Sequence, residues 1–332
     1  MLLRIFKGNN PGVIVLIALI AIALWYRTFT HPELFGSVTA AQAEMPLYML
    51  LGRITGASFF ARQAIAFATM AVIALLLVNF NTSSFFINER TYLPALLYVL
   101  SAGYMPGLPS LNPALPASLF LMLAIMRIVE GYRKPGLASD FFDAGFLIST
   151  GSLFYASLIW FGLLILIGII IIRTLNFPEV LITIIGLIAP YLMTFGIYFA
   201  LDMDLAGLGS LIKASLFSDH GTVHYPPVVI AAMGVTSVIV LLSLMFLIGI
   251  LNTKKIKSRN TFSLLIWTFL IATVAFIVLP PVSVEMIWLS AIPVSYFLAH
   301  YFVFVRKKLM PEIYFTLIFL SVLAIQVFGS KL

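Results

Sequence analysis

The sequence has no cysteine and little charge: Asp, Glu, Lys and Arg make up only 9% of its 332 residues. The first absence excludes disulfides, thiolate metal sites and cysteine nucleophiles. The second excludes a water-soluble fold of this length, since soluble domains are about one quarter charged. Histidine is scarce as well. His31, His220, His224 and His300 fall in three separate regions, so neither a metal centre nor a resident cofactor is expected. The phosphate-loop pattern GxxxxGK[ST], the dinucleotide fingerprint, HExxH and the nucleophile elbow GxSxG are all missing. Ionisable residues are rare in the middle of the apolar runs, which argues against a proton pump or an ion-coupled transporter.

What the sequence does contain is apolar: 62% hydrophobic residues and a mean hydropathy of +1.12. It reads as an all-α, polytopic integral membrane protein with one transmembrane domain over residues 1–332. Spans of roughly 17–25 residues are expected at 11–30, 62–80, 92–106, 115–131, 141–156, 158–173, 178–201, 226–251, 261–279, 285–305 and 311–328. The run 141–173 is either one long helix or two short ones. Charge decides for two, broken near Gly151 to Ser157. With eleven spans and a cytoplasmic N-terminus, fourteen of the nineteen basic residues fall on the inside, including KKIKSR at 254–259 and Arg306, Lys307 and Lys308. The C-terminus then lies in the periplasm. The formal charge of +7 is spent in these topogenic clusters, so no nucleic-acid partner is expected. The first apolar run lacks a small-residue cleavage site and reads as a retained span. The terminal Ser330-Lys331-Leu332 matches a peroxisomal address by chance. The long outer loops 31–61 and 202–225 carry apolar stretches, MPLYMLLGRI and LAGLGSLIKASLF, expected to form interfacial helices, because irregular backbone is not tolerated in hydrocarbon.

The first outer loop runs YRTFTHPELFGSVTAAQAEMPLYMLLGRITGASFFARQAIAF. An acidic residue is followed by Pro46-Leu47-Tyr48, a turn at Gly56 and an arginine, Arg62, entering the next span. Over roughly residues 11–130 this resembles the lipid-linked-sugar glycosyltransferases of the multi-spanning GT-C fold. The resemblance implies a GT-C-like arrangement and a polyprenyl-phosphate sugar as partner. It also implies a carboxylate base, Glu33 or Glu44, and phosphate contacts from Arg53 or Arg62. The family's aspartate after the first span is absent; the first aspartate here is Asp140. The whole chain also resembles a family of uncharacterised multi-pass inner-membrane proteins of Bacteroidota, through FKGNNPGVI, NERTYLPALLY at 88–98 and FFDAGFLISTGSLFYA at 141–156.

Other polar groups have simpler readings. Asp140 and Asp143 sit i, i+3 at a helix start, where acidic residues complement the dipole; diphosphate or metal binding would need further oxygen ligands. Asp219, His220 and His224, joined by Asp202 and Asp204, are a metal-ligand alternative, but the fixed geometry of three or four ligands that zinc takes leaves a solvated or substrate-facing loop as the reading. Arg127 is placed to snorkel, and His300 reads as a hydrogen-bonded packing residue or a headgroup contact. Arg53, Arg62 and Lys213 are suited to membrane lipids. Three functions fit these residues: a GT-C-type glycosyltransferase, active or catalytically degenerate; a non-catalytic membrane subunit of an envelope or secretion complex; and a lipid or polymer flippase.

Overall fold

The computed structural model describes residues 2–8, 10–30, 44–56, 58–84, 86–87, 89–104, 111–132, 139–172, 177–218, 226–305 and 309–328. Among them are fourteen α-helices and no strand. In order these are α1 (Leu2–Phe6), α2 (Pro11–Thr30), α3 (Pro46–Thr55), α4 (Phe59–Ser84), α5 (Leu93–Ser101), α6 (Ala114–Glu130) and α7 (Ser139–Ser152). They continue with α8 (Gly162–Ile172), α9 (Phe177–Ala200), α10 (Leu205–Phe217), α11 (Pro227–Ile250), α12 (Ile256–Val278), α13 (Ile287–Phe304) and α14 (Leu309–Phe328). Seven helices are long and apolar enough to cross a membrane: α2, α4, α9, α11, α12, α13 with its preceding turn, and α14. The protein is an all-α polytopic membrane protein. The other four expected spans fall on α5, α6, α7 and α8, which have 9, 17, 14 and 11 residues.

Burial explains these short helices. Every residue of α5 is buried, and 78% of the span ending at Phe304 is buried, against 17% for α9 and 22% for α11. Thus α13 and α5 form the centre, while α9 and α11 present exposed Ile188, Leu192, Val238 and Met245 outward. Outward apolar side chains on helices whose backbone groups bond internally are what a hydrocarbon solvent requires.

Hydrogen bonds between helix ends define two poles. At the first, Ser258 Oγ donates to Phe86 O (2.7 Å), Asn260 Nδ2 to Ile171 O (3.1 Å) and Lys7 Nζ to Val303 O (2.9 Å). Asn81 bridges the turn after α4 by donating to Glu89 O (3.0 Å) and accepting from the Ile87 amide (3.3 Å). Lys254 and Arg127 also lie here, so this is the basic pole. At the opposite pole the Leu47 amide donates to Leu153 O (3.1 Å) and the Tyr48 hydroxyl to Leu111 O (2.9 Å). These links make the helices alternate in direction along the chain.

The break expected near Gly151 to Ser157 is present. α7 stops at Ser152, Tyr155 is extended (φ −134°, ψ 101°), and a 3-10 turn over Ala156–Phe161 leads into α8. At Gly151 a Cβ would stand 2.8 Å from Phe120 Cβ, so the chain turns where only glycine fits. α7 also crosses α9 with backbones in close approach. A Cβ at Gly145 would lie 2.8 Å from Thr183 O, and one at Gly186 2.5 Å from Phe142 O. Small residues permit such crossings, which hold helices together where lipid removes the hydrophobic drive.

Candidate functional site

The candidate site is built around α3, the short helix between the long apolar helices α2 and α4. Proline at its first turn supplies a pre-set φ and needs no amide partner; Met45 before it is extended and buried. The helix ends at Gly56, whose φ of +58° favours glycine. Met45, Leu153 and Ala156 form a small buried cluster, against which Leu47, Tyr191 and the α10 residues Leu211, Ile212 and Leu216 pack. The Ser152 and Tyr191 hydroxyls share a hydrogen bond of 2.8 Å beside this patch. Both apolar loop segments expected to be helical are helices, α3 and α10, and side chains from each pack on the cluster at the α7–α8 break.

Tyr48 points the other way, towards the centre of the protein. Its phenol is pushed up to about 12, first by burial and then by the negative charges of Glu285 and Glu44, with Arg62 opposing. Glu285, Glu44 and Arg62 therefore all lie within electrostatic reach of the Tyr48 hydroxyl. Glu285 sits in a 3-10 turn, Val284–Met286, that leads into α13. Its residue is half-buried, and its Oε2 is buried without a hydrogen-bond partner. Tyr155, 3% exposed, comes from the α7–α8 break and also lies within electrostatic reach of Glu285. A buried carboxylate oxygen left without a donor is costly, and a ligand hydroxyl is the kind of group that would satisfy it.

A raised phenol pKa has a consequence for stability. Folding favours the protonated Tyr48, so its contribution is complete below the ordinary value of 10 and is lost as pH rises from there through about 12. Thermal unfolding in detergent is expected to show an alkaline loss of stability over that window that is absent in Tyr48→Phe. The same variant, measured at neutral pH, is expected to lose about 1 kcal/mol through the Leu111 carbonyl contact.

The sequence-derived candidates are distributed unevenly around this centre. Glu44 is exposed just before α3, Arg53 is exposed in its last turn and Arg62 is exposed in the first turns of α4. Arg62 and Glu44 act on Tyr48; Arg53 is not among the groups that do. Glu33 and His31 lie outside the described residues, as do Asp219, His220 and His224. Asp202 and Asp204 are exposed, and Asp204 caps α10 by accepting from the Gly207 amide (2.9 Å). Asp140 is buried in the first turn of α7. Asp143 lies 3.8 Å from Arg127, which also pairs with Glu130 at 3.3 Å. Among the described residues no group of acidic residues and histidines could hold a metal ion.

His300 differs from its expected role. Neither ring nitrogen has a hydrogen-bond partner; the ring is held instead by Phe246, Phe262 and Phe304. Glu285 was not singled out by sequence. Its one signal is a glutamate opening an apolar run four residues after Pro281, a place where it looks like an ordinary span end.

The bundle of long apolar helices defines the class as an α-helical polytopic membrane protein. More particularly, the chain belongs to a family of unknown function, DUF6427, matched over residues 45–331. No curated protein and no solved structure matches the chain.

Proposed function

We propose that the protein handles a lipid-phosphate-linked sugar at the outer face of the bacterial inner membrane, as a glycosyltransferase or a close functional relative. The observation that carries the reading is Glu285, whose Oε2 is buried and unpartnered and whose carboxylate lies within electrostatic reach of Tyr48 on α3, a helix with exposed arginines at and beyond its far end. In the proposed reaction the acceptor oxygen bonds to the anomeric carbon while the bond from that carbon to the phosphate oxygen breaks. Glu285 takes the acceptor's proton, and the lipid phosphate leaves with the charge that Arg62 and Arg53 meet. Glu44 and Glu33 are the alternative bases implied by the glycosyltransferase resemblance.

The reading includes eleven crossings, the basic pole in the cytoplasm and the α3 pole in the periplasm. The fourteen basic residues that this orientation places inside support it, and a reporter fused at the C-terminus is expected to register outside. Deleting the gene in its host tests the function: the surface glycan or lipid-linked-sugar profile is expected to change. An unchanged profile, together with stoichiometric protein partners in mild detergent, would replace this reading with that of a non-catalytic membrane subunit.

A further inference from the structure

A second polar centre lies at the basic pole, away from Glu285. Lys254 occupies the link between α11 and α12, at the edge of the bundle. Its ammonium stands 4.5 Å from the Phe304 ring centroid and 5.6 Å from that of Phe262. The same two rings flank His300, at centroid distances of 4.8 and 5.1 Å, and Phe246 closes the third side at 6.1 Å. His300 is fully buried and both of its ring nitrogens lack partners. Lys254 and His300 are within electrostatic reach of each other, and burial lowers the pKa of Lys254. Among the described residues no carboxylate pairs with Lys254, Lys255, Lys257 or Arg259, and the last three are exposed.

Aromatic rings explain why a lysine tolerates this position, since an ammonium over a ring face is attracted by its quadrupole. They do not explain the histidine. A buried imidazole with no partner on either nitrogen loses hydrogen bonds that it makes in water, and an all-aromatic cage could hold a phenylalanine at no such cost. The unpartnered imidazole N–H and the Lys254 ammonium are two donors set against the same two phenylalanine rings. The group that answers both is an acceptor carrying negative charge and more than one oxygen. Lys254 is itself half-buried and directly precedes the exposed basic cluster in the chain.

We propose that Lys254 and His300 form a phosphate-ester site at the basic pole, with the exposed Lys255, Lys257 and Arg259 drawing the anion in. The position at the rim of the apolar bundle fits the phosphate of an anionic phospholipid from the surrounding leaflet. Basic residues at this depth attract such headgroups, and the aromatic rings offer a surface for the upper part of an acyl chain. The site does not depend on any sugar chemistry at the opposite pole.

Native mass spectrometry of the full chain in mild detergent tests the proposal, with phosphatidylglycerol, phosphatidylcholine and inorganic phosphate as probes. The intact protein is expected to retain phosphatidylglycerol over phosphatidylcholine, and Lys254→Ala to reduce that preference about fivefold. His300→Phe, which keeps the cage aromatic and apolar, is expected to reduce it about threefold while melting no lower than the parent protein. Lys255→Ala is expected to change it by less than about twofold, as an exposed, screened charge. Retention of inorganic phosphate, lost in both Lys254→Ala and His300→Phe, would support the site with a free anion as its occupant. An unchanged phosphatidylglycerol preference in folded Lys254→Ala and His300→Phe, with no phosphate binding by the parent, would overturn it.

Discussion

Replacing Glu285 by glutamine is expected to lower sugar transfer by about 10²- to 10³-fold while leaving the fold intact. Removing a positioned general base costs this much when no other group takes the proton. Glutamine keeps the shape and removes only the charge and the basicity, and the buried Oε2 has no hydrogen-bond partner to lose. Stability is therefore expected to hold or rise slightly, since an uncompensated buried carboxylate is itself unfavourable. The contrast with Glu44→Gln decides the assignment. Glu44 is exposed, water screens it, and its loss is expected to cost less than about fivefold. Lipid-linked-sugar and surface glycan profiles of the complemented deletion strain read both variants side by side. The reverse order of effects would move the base to the first outer loop, where the glycosyltransferase resemblance puts it.

The largest stability effect is expected at the crossing of α7 and α9. Gly186→Leu would drive a side chain into the backbone of α7, where even a Cβ would stand 2.5 Å from Phe142 O. Backbone cannot yield as a flexible side chain does, so the helices must separate, at a cost of about 3 kcal/mol or more. Gly196→Leu, on the same helix with open space around it, is expected to cost less than about 0.5 kcal/mol. Thermal unfolding in detergent, followed by size-exclusion chromatography, measures the pair. Because α7 ends at the break that supplies Tyr155, Gly186→Leu is also expected to disturb the pole beneath α3.

Much of this architecture was legible in the sequence because its signals are local. The Pro46 start and the apolar run after it mark α3, and the corresponding run after Asp204 marks α10. Charge alone separated α7 from α8: a single long helix would have put the basic clusters at 254–259 and 306–308 on the opposite side from Arg127 and its neighbours. The seven long apolar helices needed only length and composition. The site was less legible because it is assembled from positions far apart in the chain. Tyr48, Tyr155 and Glu285 come from three elements that tertiary packing alone brings to one pole, and no short motif links them. Glu285 begins an apolar run and so resembles a helix-terminal residue, while Glu44, which resembles a loop base, proves to be exposed. His300 shows the same limit: the sequence gives its place in a span, but its ring of phenylalanines is contributed by α11, α12 and α13 together.

The central claim, a carboxylate at the α3 pole acting on a lipid-phosphate sugar, is tested most directly by turnover in proteoliposomes. Purified full-length protein would be supplied with a radiolabelled polyprenyl-phosphate mannose and an acceptor extract from its host membrane, and release of the polyprenyl phosphate followed with time. The account predicts release by the parent protein and a loss of about 10²-fold or more in Glu285→Gln. Equal release by the parent and by Glu285→Gln, or no release by a folded parent protein, would contradict it.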